Sequence, residues 1–226
     1  KDIAVFVFSA AGDEAALAAG EALARASDAD LAGVLLALQP DPVYTMEGVM
    51  VSAMWADVLA EARQGFAKEK AALEARCRKS DRSIAIRELL VAASLAATDA
   101  TVHARHADLS IMLRPGGSRP LDYRNAVFEG VLFGSGRPVL LVPPDWKSDR
   151  VGRKVVVAWN GKREAARALA DATPLLESAD EITLVTIDAK PSSEGVGPAP
   201  GADIAGHLAR RGLKVELRNL DGIGRD

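Results

Sequence analysis

The chain has 226 residues, 28 Lys plus Arg against 31 Asp plus Glu, and a net charge of −3; 49% of it is hydrophobic and 26% charged. A balance so near zero leaves no electrostatic footprint for nucleic acid or anionic lipid, and the apolar content excludes a chain disordered throughout. At roughly 150 residues per domain the length is about one and a half domains, which calls for an explanation.

Forty-two residues are alanine and ten are aromatic. This composition predicts alanine-rich helices packed closely on β-branched strands. No apolar run approaches the roughly 18 residues needed to cross a bilayer. The chain opens on a strand-like segment rather than a signal peptide, so a cytoplasmic protein is expected. It starts at Lys1 rather than Met, which predicts a trimmed or processed start. The single cysteine excludes an internal disulfide and a cysteine-based zinc site.

In chain order, residues 2–8 form a short apolar run without polar alternation, as in a strand buried on both faces. Residues 14–26 predict a helix, and residues 31–38 a second buried strand. Residues 47–79 form one long helical pattern. Val51, Met54, Trp55, Val58, Leu59, Ala62, Phe66, Leu73 and Cys77 make its apolar stripe. Such a helix is longer than a small sheet is wide, so part of it is expected to pack on a second domain or subunit. A third strand follows at 84–91, a short helix at 95–106 and a fourth strand at 109–113. Asp122 is a candidate cap for a helix that buries Val127, Val131 and Leu132 and stops at Gly134-Ser135-Gly136. Pro138 opens a fifth strand at 139–142. Alternation of this kind predicts an α/β fold: a doubly wound parallel sheet of five strands with helices on both faces. Ligands of such sheets sit outside the carboxyl ends of the strands.

After a linker at 145–153 the pattern restarts, with a strand at 154–160, a helix at 162–177 and a strand at 182–188. Residues 190–201 hold eight Pro, Gly or Ser in twelve positions and read as a flexible loop. A helix at 202–211 and a strand at 213–217 complete the pattern. At a fixed offset of 150, nine of 26 positions are identical, among them Val5 with Val155, Glu14 with Glu164 and Asp30 with Asp180. The chain therefore reads as a tandem repeat. Its first domain is complete over 1–144, and a second domain begins at 154 and runs to 226. The counterparts of strand four, the last helix and strand five of that second domain are expected to be absent from this sequence.

The phrases His103-Ala104-Arg105-His106-Ala107-Asp108-Leu109 and Phe133-Gly134-Ser135-Gly136-Arg137-Pro138-Val139 carry a resemblance. So do residues 156–168, from Val156-Val157-Ala158-Trp159-Asn160-Gly161 onward, and residues 203–210. In this layout the chain resembles the universal stress protein family in its tandem two-domain form. The resemblance implies a five-stranded parallel α/β domain. It also implies pairing through the last strand, as a homodimer or within one chain. Some members bind ATP or AMP and others bind no nucleotide. In the binding subclass an acidic residue ends strand one, and a G-x-x-G-x9-G-[ST] segment after strand four wraps the phosphates. Small residues there let backbone N–H groups approach an anion.

The first repeat departs from that pattern. Phe8-Ser9-Ala10 ends strand one without a carboxylate, Leu113 stands at the first glycine, and Asn125-Ala126 stands at the final Gly-Ser pair. Arg114, Gly116, Gly117 and Ser118 still form either an anion-holding loop or a plain surface turn. In the second repeat Ala158-Trp159-Asn160-Gly161 matches the end of strand one, with Asn160 in place of aspartate. Asn160 can hydrogen-bond a ribose or base edge without adding charge. The same Asn160-Gly161 pair also fits an ordinary turn. Thr186 falls where the family's backbone contact to adenine is made. The nucleotide-binding residues implied are thus Ala158, Trp159, Asn160, Gly161 and Thr186.

His103 and His106 share a helix face, but a metal needs three or four ligands. Cys77 lies between Arg76 and Arg78, a setting for either a thiolate or a half-buried structural thiol. No P-loop, nucleophile elbow or dinucleotide fingerprint occurs. The expected function is therefore a regulatory, ligand-sensing stress protein rather than an enzyme, with ATP or AMP in the second domain. A nucleotide-independent dimerisation scaffold and a slow ATPase are the alternatives.

Overall fold

The computed structural model describes residues 1–41, 52–116, 123–189 and 199–222. Asp122, Gly117, Ser118, the first turn expected for the long helix and most of the 190–201 loop lie outside the described residues. The chain divides into two compact units, Lys1–Asp149 and Arg150–Asp226.

The first unit holds β1 (Asp2–Val7), α1 (Glu14–Ser27), β2 (Asp30–Gln39), α2 (Ser52–Cys77) and β3 (Ile84–Ala92). A single 3-10 turn, Ala93–Leu95, leads into α3 (Ala96–Arg105), followed by β4 (Leu109–Leu113), α4 (Tyr123–Gly134) and β5 (Val139–Val142). The strands form one sheet in the order β3-β2-β1-β4-β5, all pairs parallel. β1 is central and buried on both faces, which is why its sequence shows no polar alternation.

Side chains of β1 divide between the faces with a period of two. Ala4, Phe6 and Phe8 join Val34, Leu36 and Met112 under alanines 96, 100 and 104 of α3 and valines 127 and 131 of α4. On the other face α1 lies so close that a Cβ at Gly20 would stand 2.6 Å from a Val5 methyl. The alanines serve this geometry: short side chains bring helix backbones near the sheet.

α2 is held mainly at its carboxyl end. Leu73 is its one fully buried side chain among the described residues and lies over Gly33. Arg76 ties α2 to α1, donating to Glu14 through Nε at 2.7 Å and to Glu21 through a terminal nitrogen at 2.9 Å. Burial would raise the Glu21 carboxyl, but hydrogen bonds from Arg76 and Ser80 and the Arg76 charge together hold the group below its ordinary value. Of the rest of the expected stripe, Trp55, Leu59, Ala62 and Phe66 are half-exposed and Val58 is exposed. At 26 residues the helix is about 39 Å long and outruns the sheet. Burial pushes the Cys77 thiol up, outweighing the nearby Arg76.

The second unit holds β6 (Lys154–Ala158), α5 (Arg163–Asp171), α6 (Thr173–Glu177), β7 (Glu181–Ile187), α7 (Ala202–Arg210) and β8 (Val215–Leu220). Its parallel sheet runs β6-β7-β8. The helix expected over 162–177 breaks at Ala172, because Pro174 in the first turn of α6 has no N–H to continue α5. The break has a counterpart in the register. Asp2 pairs with Asp30 in the first unit and Lys154 with Glu181 in the second, one residue fewer apart. One ungapped offset of 150 therefore does not hold through both strands of the pair. β8 begins two residues later than the expected strand, at Val215.

Leu169, Leu176, Ile182 and Leu208 form the core of this unit. On β6, Val156 is 69% exposed while Val155 and Val157 pack on the core. No helix among the described residues is long and apolar enough to cross a membrane.

Replacing Leu73 by Ala removes the buried anchor of α2 and should destabilise the first unit by about 2–5 kcal/mol. Urea unfolding followed by circular dichroism reads this directly. A change under 1 kcal/mol would show that α2 is held by its ion pairs instead.

Candidate functional site

In a sheet ordered 3-2-1-4-5 the strand order reverses between β1 and β4, and the crevice outside their carboxyl ends is the expected ligand position. In the first unit the backbone donors that follow β1 are taken by the chain's own side chains. Asp13, wholly buried, turns its carboxylate back toward β1. Its Oδ2 accepts from the backbone N–H of Phe8 at 2.7 Å and of Ser9 at 2.9 Å. The next donor, Ala10 N–H, goes to Glu69 of α2 at 2.9 Å. The other Asp13 oxygen accepts from Arg124 of α4 at 2.8 Å. Arg124 also lies over the Phe8 ring, 4.6 Å from its centroid, and Tyr123 meets that ring edge-on at 5.4 Å.

Three consecutive backbone donors that could cradle an anion are thus occupied by the chain's own carboxylates. Sequence reasoning passed over Asp13. Standing just before α1, it reads as an N-cap, yet it makes no cap hydrogen bond there. Of the expected anion loop, Arg114 and Gly116 are exposed beyond β4. Gly116 does not adopt a positive φ, and a Cβ there would meet nothing within 4 Å, so its small size answers no local constraint. Gly117 and Ser118 lie outside the described residues.

The corresponding place in the second unit is open. A cavity of about 210 Å³ lies outside the carboxyl ends of β6 and β7. Trp159, Asn160 and Gly161 line it from the turn after β6, Thr186 and Ile187 from β7, Pro200 and Gly201 from just before α7, and Asp203 and Ile204 from its first turn. Four of the five residues singled out in this repeat therefore share one cavity. The fifth, Ala158, ends β6 beside them and is not part of the lining.

Local bonds fix these walls. Trp159 N–H donates to the Val185 carbonyl at 2.8 Å, and its ring packs on the unit's core. Asn160 Oδ1 accepts from Lys162 N–H at 3.0 Å, closing a turn whose Gly161 has φ +73°. Thr186 Oγ1 donates to Asn219 Oδ1 at 2.8 Å and keeps its lone pairs for another donor. Gly201 caps α7 with φ +81°, and a Cβ there would lie 3.1 Å from the Thr186 methyl. Asp203 was not singled out in the sequence, where it reads as an acid favouring the helix dipole.

A larger cavity, about 290 Å³, lies at the amino ends of β1, β2 and β3 beside Asp2, Asp30 and Arg87. That is the end of a parallel sheet opposite the ligand end, and we give the smaller cavity precedence. Among the described residues no three His, Cys, Asp or Glu side chains gather as metal ligands. Burial, then Arg87, holds the His103 imidazole below its ordinary value.

The chain is similar to a crystal structure of a universal stress protein from Archaeoglobus fulgidus DSM 4304. The match covers 97% of this chain and 77% of that one, with a TM-score of 0.64 and 16% identity. The fold is that of a universal stress protein. No family model and no curated protein matches the sequence.

Two substitutions probe the two units separately. Asp13→Ala strands the backbone donors of Phe8 and Ser9 and removes an ion pair of Arg124, and should destabilise the first unit by about 2–4 kcal/mol in urea titrations. Gly201→Ala imposes a left-handed conformation on alanine and should remove about 1–2 kcal/mol from the second unit alone. Limited proteolysis that maps the first cleavages would locate each effect.

Proposed function

We propose that the chain is a tandem universal stress protein whose second unit binds an adenine nucleotide, ATP or AMP, while the first unit serves as its structural partner. The carrying observation is the convergence of Trp159, Asn160, Gly161 and Thr186 on one cavity at the ligand end of a parallel sheet. The walls are apolar enough for a base, and Asn160 supplies amide donors while its own oxygen is held in the turn. The backbone donors after β1, taken by Asp13 and Glu69 in the first unit, support assigning binding to the second. Asp203 is the one titratable side chain among the described residues that line the cavity, so the reading is of binding and sensing rather than acid–base catalysis. A cytoplasmic location and pairing of copies belong to the same reading, by likeness to the fold's other members.

A nucleotide-independent interaction scaffold is the second reading. It is favoured by large apolar side chains at the surface, Phe133 at 81% exposure above all.

The test is to release any small molecule that co-purifies with the native full chain, identify it by mass spectrometry, and then titrate ATP and AMP by calorimetry. The expected result is one nucleotide per chain. Asn160→Ala should weaken its binding roughly tenfold, the worth of about one hydrogen bond. No ligand and no heat with either nucleotide would leave the scaffold.

A further inference from the structure

The cavity of the second unit has an uneven set of polar groups. Among its described lining residues there is no Lys, Arg or His. The one charged side chain is Asp203, whose carboxylate has no hydrogen bond or ion pair among the described residues. Thr186 Oγ1 has spent its proton on Asn219 and faces a ligand as an acceptor. Asn160 has spent its oxygen on Lys162 N–H, so its remaining capacity is the amide N–H donors. Ile187, Pro200 and Ile204 supply apolar surface for a flat ring.

Among the described lining residues a carboxylate thus stands without a cation, which favours an uncharged group rich in donors beside it over a phosphate. We propose that Asp203 sets the base specificity of this pocket: it accepts from the exocyclic amine of an amino-substituted purine, while Asn160 donates to a ring nitrogen of the same base. The proposal rests on reading the pocket as a purine site and names the group that chooses among purines. A base with a carbonyl in place of the amine sets its oxygen lone pairs against the Asp203 carboxylate and brings no donor to it. Such a site rejects the analogue because a polar group that the correct ligand would satisfy is left unpaired. The phosphates of a nucleotide then stand outside this cavity, away from Asp203.

Adenosine and inosine differ at this one substituent and carry no phosphate, so they isolate the effect. The full chain should be titrated with each by calorimetry, alongside its Asp203→Asn and Asn160→Ala variants. Adenosine should bind at least about tenfold more tightly than inosine. Asp203→Asn, whose amide can also donate to a carbonyl, should reduce that ratio to about twofold with adenosine still bound. Asn160→Ala should weaken adenosine binding. Asp203 is exposed, and unchanged ligand-free melting of the Asp203→Asn variant establishes that its fold is intact. Equal affinity for the two nucleosides, or a ratio that Asp203→Asn leaves unaltered, overturns the assignment of Asp203 while the pocket remains a nucleoside site. Failure of adenosine, ATP and AMP alike to bind overturns the nucleotide reading itself, and this inference with it.

Discussion

The first unit is organised around one buried carboxylate. Asp13 holds the backbone of Phe8 and Ser9 with one oxygen and Arg124 with the other, so β1, the start of α1 and the start of α4 meet on a single side chain. Without it the N–H groups of Phe8 and Ser9 would lose their partner together, and the cost falls on the donors that remain unpaired. The cation–ring contact between Arg124 and Phe8, and the edge contact with Tyr123, are arranged by the same pairing. The same carboxylate thus joins three elements at the carboxyl end of the central strand.

The alternation of strands and helices was legible because parallel strands buried on both faces are written as unbroken apolar runs, as in Ile3-Ala4-Val5-Phe6-Val7. Proline and glycine marked the interruptions, although the effect of Pro174 inside a helical pattern was not allowed for. The depth of α2 in the fold was not legible. A periodic stripe states which face of a helix is apolar, and only the width of the sheet decides how much of it is covered.

The second-unit cavity was partly legible, since the ligand end of a parallel sheet is fixed by strand direction. That rule and the family resemblance together pointed to Trp159, Asn160, Gly161 and Thr186. Asp203 was not visible because its place in the cavity depends on the start of α7 meeting the end of β7, which no local window shows. Asp13 was invisible for a stronger reason. Its partner Arg124 is 111 residues away, and nothing in a local window links the two.

The shorter connection between β6 and β7 limits how freely the two units can exchange parts. Between paired residues of its first two strands the first unit spends 28 residues and the second 27, so the same strand pairing is reached over crossovers of different length. The pairing of the strands, not the path between them, is what the two units share. A chimera that carried α1 into the second unit in place of α5 and α6 would have to absorb the extra residue in the turns that flank the helix, while Ile182 and Leu184 stay on the faces their pairing with β6 gives them.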